Sequence, residues 1–269
     1  MIDTHCHLTF PDFSGGLADE LDLCERHGVA GVITISTTSR DCVDALRIAE
    51  SDPRVWCSSG VHPLYSDQGP HDWDTVLGCA RSDRCVAWGE LGLDNHYERP
   101  PSTVQHEVLR EQLALIEGAT SEDGEPALGK PIVIHCREAF DDLIPVLAAS
   151  SLPNDRFVFH CFTGTADDAK NVLDFGAMIS LTGVVTYKNA RDVQAAAKLI
   201  PLDRLMVETD APFLSPAPHR GERPCRPWMS SVTGRFLADL RGESFDAFHA
   251  AINANTVRFF GIRPMGVPV

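Results

Sequence analysis

The amino-acid sequence predicts an α/β fold, a closed TIM-like (β/α)8 barrel in a single domain. Three observations carry this. Eight short apolar runs, most of them rich in Val and Ile, alternate with segments of helical period, and strands alternating with helices build a parallel sheet. The chain has 269 residues, close to the roughly 250 of such barrels. Side chains suited to metals recur near the C-terminal ends of those runs, the face where a parallel barrel gathers its active site.

Strands are expected near 2–7, 29–36, 55–61, 85–91, 131–136, 156–161, 176–182 and 204–209, as in Val29-Ala30-Gly31-Val32-Ile33-Thr34-Ile35. Helices are expected near 17–27, 39–51, 72–82, 103–117, 138–149, 165–175, 189–199, 229–241 and 244–258. The clearest, 103–117, carries Val104, Val108, Leu109, Leu113, Leu115 and Ile116, and Ser102 with Gln105 reads as a capping box at its start. No GxGxxG or GxxxxGK[ST] follows a strand, which weakens an open nucleotide-binding sheet. No repeat and no linker divides the chain. Residues 118–130 read as an exposed loop. The barrel is assigned to residues 1–260 and a loosely held C-terminal tail to 261–269, with Pro264, Gly266 and Pro268.

Composition narrows the function. Hydrophobic residues make up 43% of the chain, enough for a core, and no apolar run approaches the roughly 20 residues of a membrane span. No basic region followed by an apolar stretch opens the chain, so no secretion signal is expected. Nine cysteines without a CxxC fit free thiols in a reducing cytoplasm. Cys6, Cys136 and Cys161 each neighbour a histidine of interest; strand alternation should turn their thiols outward into buried positions. The net charge of −15 argues against a broad basic surface for polyanions. A phosphodiester remains open to a local site. Two divalent ions against two carboxylates leave an excess of about +2 there.

His5 and His7 lie one residue apart in an expected strand, so both imidazoles face the same side and can grip one divalent metal. Glu90, His135, His160 and Asp210 follow near the ends of later runs. Six such ligands exceed what one tetrahedral ion needs and point to a two-metal hydrolytic site. A carboxylate such as Glu90 can bridge two cations, and Gly89 and Gly92 around it let backbone come close. The only lysines are Lys130, Lys170, Lys188 and Lys198, and none ends an expected strand, so a carboxylated lysine cannot take the bridging place.

These segments resemble a known family. Asp3-Thr4-His5-Cys6-His7-Leu8, Gly60-Val61-His62-Pro63, Gly89-Glu90-Leu91-Gly92-Leu93-Asp94, Val133-Ile134-His135-Cys136-Arg137, His160-Cys161-Phe162-Thr163-Gly164 and Glu208-Thr209-Asp210-Ala211-Pro212-Phe213-Leu214 are similar to motifs of the TatD-family metal-dependent deoxyribonucleases, within the amidohydrolase-like metal-dependent hydrolases. The resemblance implies a TIM-like barrel, 3′–5′ exonuclease activity on DNA, and metal contacts at His5, His7, Glu90, His135, His160 and Asp210. One stretch departs. Where the family commonly ends a basic loop in Arg-Asn-Glu-Pro, this chain reads His219-Arg220-Gly221-Glu222-Arg223-Pro224-Cys225-Arg226-Pro227.

The resulting expectation is hydrolysis of phosphodiester bonds in single-stranded or frayed DNA, with two divalent ions (Mg, Mn or Zn). His5, His7 and Asp210 would hold one ion, His135 and His160 the other, and Glu90 would bridge; Asp210 would shuttle the proton of a metal-activated water. A metal-dependent ester hydrolase such as a D-aminoacyl-tRNA deacylase is the alternative. His62 is a candidate to hydrogen-bond a phosphate or water. Arg137 is a candidate for phosphate or for a salt bridge, and Arg220, Arg223 and Arg226 for a phosphate clamp or a solvated loop. Trp228 and Tyr65 can stack on a base or pack. His27, His71, His96, His106 and His249 are given no chemistry.

Overall fold

In a computed structural model, which describes residues 1–121 and 123–263, eight parallel strands form one sheet in sequence order. They are β1 (Ile2–Cys6), β2 (Gly31–Thr34), β3 (Val55–Ser59), β4 (Cys85–Asp94), β5 (Ile132–Arg137), β6 (Phe157–Phe159), β7 (Met178–Leu181) and β8 (Leu205–Val207). The helices α1 (Leu17–Arg26), α2 (Asp41–Ser51), α3 (Trp73–Ala80), α4 (Ser102–Gly118), α5 (Phe140–Ala148), α6 (Ala166–Phe175) and α7 (Arg191–Leu199) each follow one strand. After β8 come α8 (Ser230–Arg241) and α9 (Phe245–Phe260). This is the expected (β/α)8 barrel.

The barrel closes just beyond the ends of β1 and β8. Cys6 pairs in parallel with Ala211; His7 N donates to Ala211 O at 2.7 Å and Asp210 N to His5 O at 2.9 Å. The two ends of the sequence motif set thus share main-chain bonds.

One buried cluster lies between strands and helices. A second gathers Ile2, Trp56, Val133, Val158, Met178 and Met206 near the strand beginnings. Phe260 and Ile262 pack into it from the chain's end. Ile262, expected in the loose tail, is instead buried, because an apolar residue just past α9 is drawn into the barrel floor. Residues 264–269 of that tail lie outside the described residues.

The capping box expected at Ser102 and Gln105 is absent. Ser102 is already the first helical residue, and Pro101 before it offers no side-chain cap. Gln105 is buried and spends its amide on β4, accepting from Asp94 N at 2.8 Å and donating to Asp94 O at 2.9 Å. A capping box does stand at α6, where Thr165 and Asp168 cap each other reciprocally and Gly176 ends the helix in the left-handed region. The 118–130 loop is anchored at its far end. Trp88 Nε1 donates to Ala127 O at 2.8 Å, and Lys130 Nζ donates to the carbonyls of Ala80, Ser82 and Cys85.

Candidate metal centre

β1 carries His5 as its second-last residue, and His7 follows just beyond its end. β4 runs three residues past its expected end, to Asp94, and its register with β5 slips between Trp88 and Leu91. An irregularity of this kind re-aims a side chain, and the one re-aimed is Glu90. Gly89 adopts φ +117, and a Cβ there would lie 2.5 Å from Val133 O. Gly92 adopts φ +150, and a Cβ there would lie 1.9 Å from His135 O. Only glycine fits either place. Ser58 Oγ donates to Gly89 O at 2.6 Å, fixing the carbonyl just before Glu90.

Glu90 is buried at the centre. Its Oε1 faces His5 Nε2 at 3.4 Å and His7 Nε2 at 3.6 Å. Its Oε2 faces His160 Nε2 at 2.7 Å, His135 Nδ1 at 3.3 Å and His62 Nε2 at 3.7 Å. Asp210, in left-handed backbone just past β8, brings Oδ1 to 3.3 Å from His7 Nε2 and 3.7 Å from His5 Nε2. One carboxylate thus turns one oxygen to each of two imidazole groups. The six residues expected to converge do share this place. All but the fully buried His5 line a cavity of about 1090 Å³ at the C-terminal face of the barrel.

The donor set fits divalent cations. Buried polar atoms are almost always hydrogen-bonded, yet both ring nitrogens of His5 and both oxygens of Glu90 make no hydrogen bond of acceptable geometry. Atoms left this way at 0–1% exposure suit a cation set among them. Three sets lie within cation-binding reach: His5, His7 and Asp210; His5, His160 and Glu208; His62, Glu90 and His135.

The outer partners fix which nitrogen of each ring faces inward. His7 Nδ1 donates to Ile35 O at 3.1 Å, leaving its Nε2 lone pair for a cation. His135 Nε2 is held by Asp94 Oδ2 at 3.0 Å, leaving Nδ1. His160 Nδ1 faces Glu208 Oε1 at 3.5 Å, leaving Nε2. His62 is the opposite case. Its Nδ1 accepts from Leu64 N at 2.9 Å, so the hydrogen sits on Nε2 and points into the site. Although His62 stands close enough to ligate, it presents a donor where the others present lone pairs.

Burial pushes His62 down to about 3, so it stays neutral. Burial also opposes charge on Glu90, but the surrounding imidazoles, His62, His160 and His5 foremost, outweigh it and hold Glu90 well below the usual carboxylate range. Asp210 is likewise held low: burial raises it, and the adjacent His7 ring with His5 and His160 outweighs that.

Glu208 and Asp94 were not among the candidates. Glu208 accepts from Ser180 Oγ at 2.7 Å, from Cys161 N at 2.6 Å and from Thr4 Oγ1 at 3.2 Å beneath His160. Glu208 lies inside the eighth expected strand, 204–209, and was findable there as a carboxylate among apolar residues; Asp94 lies beyond the expected end of the fourth.

The weaker candidates separate. Arg137 and Arg223 line the cavity. Arg137 lies 5.1 Å over the Tyr97 ring. Arg220 stands outside the main cavity, 4.1 Å over the Tyr187 ring, in a small adjoining pocket. Arg226 is no part of a clamp: it bonds Glu20, a buried carboxylate on α1 that needs a cation. Trp228 packs against His27 at 4.1 Å, and Tyr65 meets the His62 ring edge-on while lining the cavity. All nine cysteines are free. Cys6 and Cys136 are buried, but Cys136 also lines the cavity rather than lying wholly outside it; Cys161 is half-buried on the cavity wall, because backbone at φ +45 past β6 breaks the strand alternation. No helix among the described residues is long and apolar enough to cross a membrane.

A parallel barrel with a carboxylate set between imidazole groups at its C-terminal rim defines a metal-dependent hydrolase. The chain belongs to the TatD-related DNase family, whose model matches residues 2–261. An uncharacterized metal-dependent hydrolase TatD of Mycobacterium tuberculosis (strain ATCC 25618 / H37Rv) is 34% identical over 276 residues, covering 97% of this chain and 98% of its own. The crystal structure of YJJV, a TatD homologue from Escherichia coli K12, matches with a TM-score of 0.87 at 29% identity and covers 98% of both chains. Human TATDN2, a 3′–5′ RNA nuclease, is 30% identical over 278 residues, or 97% of this chain, which spans 35% of that protein.

Proposed function

We propose that this chain is a two-metal phosphodiesterase that shortens single-stranded or frayed DNA from its 3′ end, using Mg, Mn or Zn. The observation that carries the reading is Glu90, with one oxygen toward His5 and His7 and the other toward His135 and His160. The family description as a DNase and the 3′–5′ nuclease activity named for the human relative support the choice of bond and direction.

His5, His7 and Asp210 would hold one cation, His135 and His160 the other, and Glu90 both. When bound, the pair supplies a water of lowered pKa and neutralises charge on the phosphoryl oxygens. The chain's own side chains do the rest. Asp210, with a side chain 16% exposed against 1% for Glu90, is the carboxylate open to the cavity. It takes the proton of the attacking water and returns it to the leaving sugar oxygen. His62 donates its Nε2 hydrogen to a phosphoryl oxygen, and Arg137 and Arg223 orient the phosphate from the cavity walls. Asp94 and Glu208 hold the rings of His135 and His160 in the ligating tautomer.

The test uses metal-reconstituted protein with 5′-labelled single-stranded DNA and RNA of one sequence, and with a charged D-aminoacyl-tRNA. Stepwise shortening of the labelled DNA is expected. Deacylation with no loss of DNA length would overturn the reading.

A further inference from the structure

The geometry points to a second binding site, beside the metal centre and distinct from it: the pocket between Tyr187, Leu214, Arg220 and Arg223 receives a neighbouring phosphate of the same nucleic-acid strand. This rests on the phosphodiesterase reading above. The pocket measures about 260 Å³, room for one phosphate-bearing unit and less than the roughly 300–1,000 Å³ of a drug-sized ligand's cleft. Leu214 and Arg223 line both this pocket and the main cavity, so the two spaces share a wall.

The pocket is built before any ligand arrives. Tyr187 OH donates to Ser215 O at 3.0 Å, and Ser215 Oγ to Glu222 O at 2.7 Å. Cys225 N donates to Pro212 O at 2.9 Å, and Gly183 comes so near that a Cβ would lie 2.3 Å from Leu214 O.

Its charge is unspent. Of the three arginines in the 219–226 loop, Arg226 is neutralised by Glu20. Glu222, which also lines the pocket, pairs its carboxylate with His219 Nδ1 at 2.9 Å. Among the described residues, neither Arg220 nor Arg223 has a carboxylate within 4.0 Å. Stacking at 4.1 Å over Tyr187 holds the Arg220 plane and leaves its edge donors free, an arrangement suited to phosphate oxygens. Elsewhere the lining of the main cavity includes Glu138, Asp141, Asp142 and Asp168, carboxylates that repel a polyanion, with Arg137 next to Glu138 in sequence. A strand whose reacting phosphate lies at Glu90 therefore leaves over Arg223, toward Arg220.

The experiment measures binding by fluorescence anisotropy with the protein as purified. The probe is a labelled pentathymidylate closed by an inverted 3′–3′ nucleotide that resists hydrolysis. A neutral methylphosphonate is placed at each linkage in turn. One position is expected to weaken binding roughly tenfold, the scale of one charge-assisted hydrogen bond. Arg220→Gln should cause the same loss, erase sensitivity at that position, and reduce the salt slope by about 0.7. Tyr187→Leu, which removes the stacking face, should repeat the pattern. Losses that simply add, or no position that depends on Arg220, would overturn the subsite. Failure of the wild-type protein to cleave an uncapped strand with any divalent metal, the binding pattern intact, would overturn the phosphodiesterase reading and keep the pocket.

Discussion

Asp210 and His62 are the residues whose chemistry separates most cleanly from folding. Asp210→Asn keeps the shape of the side chain and its place beside His7 but loses the proton acceptor. The expected loss is roughly 10²–10⁴ in kcat, the range for a positioned general base, with little change in urea unfolding. Near-normal rates in that variant would remove Asp210 from the reaction. His62→Leu deletes a donor without deleting a cation ligand. It should cost roughly tenfold to a hundredfold in kcat/KM while elemental analysis shows unchanged metal content. Since burial holds His62 near 3, it is neutral at all working pH values, and its removal should scale the pH–rate curve without moving its inflections. Loss of metal in His62→Leu would instead make the ring a ligand.

At the scale of elements, β4 and its pairing with β5 set the site. Gly92→Ala would drive a methyl into His135 O, so β5 has to shift and take His135 with it. By contrast Thr165→Ala, which removes the cap of α6, should cost about 1 kcal/mol and leave metal binding alone. Denaturant titration of both variants checks the order: a Gly92→Ala protein as stable as Thr165→Ala would contradict the close approach. The same strand shows what the sequence made legible. Alternating strands and helices came through with ends displaced by a few residues, because Val- and Ile-rich runs and helical periods survive without tertiary information. The apolar run of β4 lapses at Gly92, so the strand was expected to stop near 91, and Asp94 fell outside it. In sequence Gln105 resembles a local cap, because its true partner, Asp94, is set by how α4 packs on β4. The tautomer of His62 was also illegible, since it depends on a backbone donor in the turn after β3.

On the whole-molecule scale, the gathered but unsatisfied nitrogens and oxygens of His5 and Glu90 couple cations to folding. Saturation at 100 times Kd should add about 2.7 kcal/mol of stability. For a chain of this size that raises Tm by roughly 2–4 °C per kcal/mol, and chelation should reverse it. A scan insensitive to chelator and to added metal would contradict a cation site here. The barrel seam carries one more consequence. His5 and His7 lie at one end of the motif set, Glu208 and Asp210 at the other, and the bonds from His7 to Ala211 and from Asp210 to His5 join them. A nascent chain on the ribosome exposes the paired histidines early, but they gain their acidic companions only after the eighth strand has been synthesised. Ion capture would then report completed synthesis, and fragments ending short of that strand would carry half a grip and no chemistry.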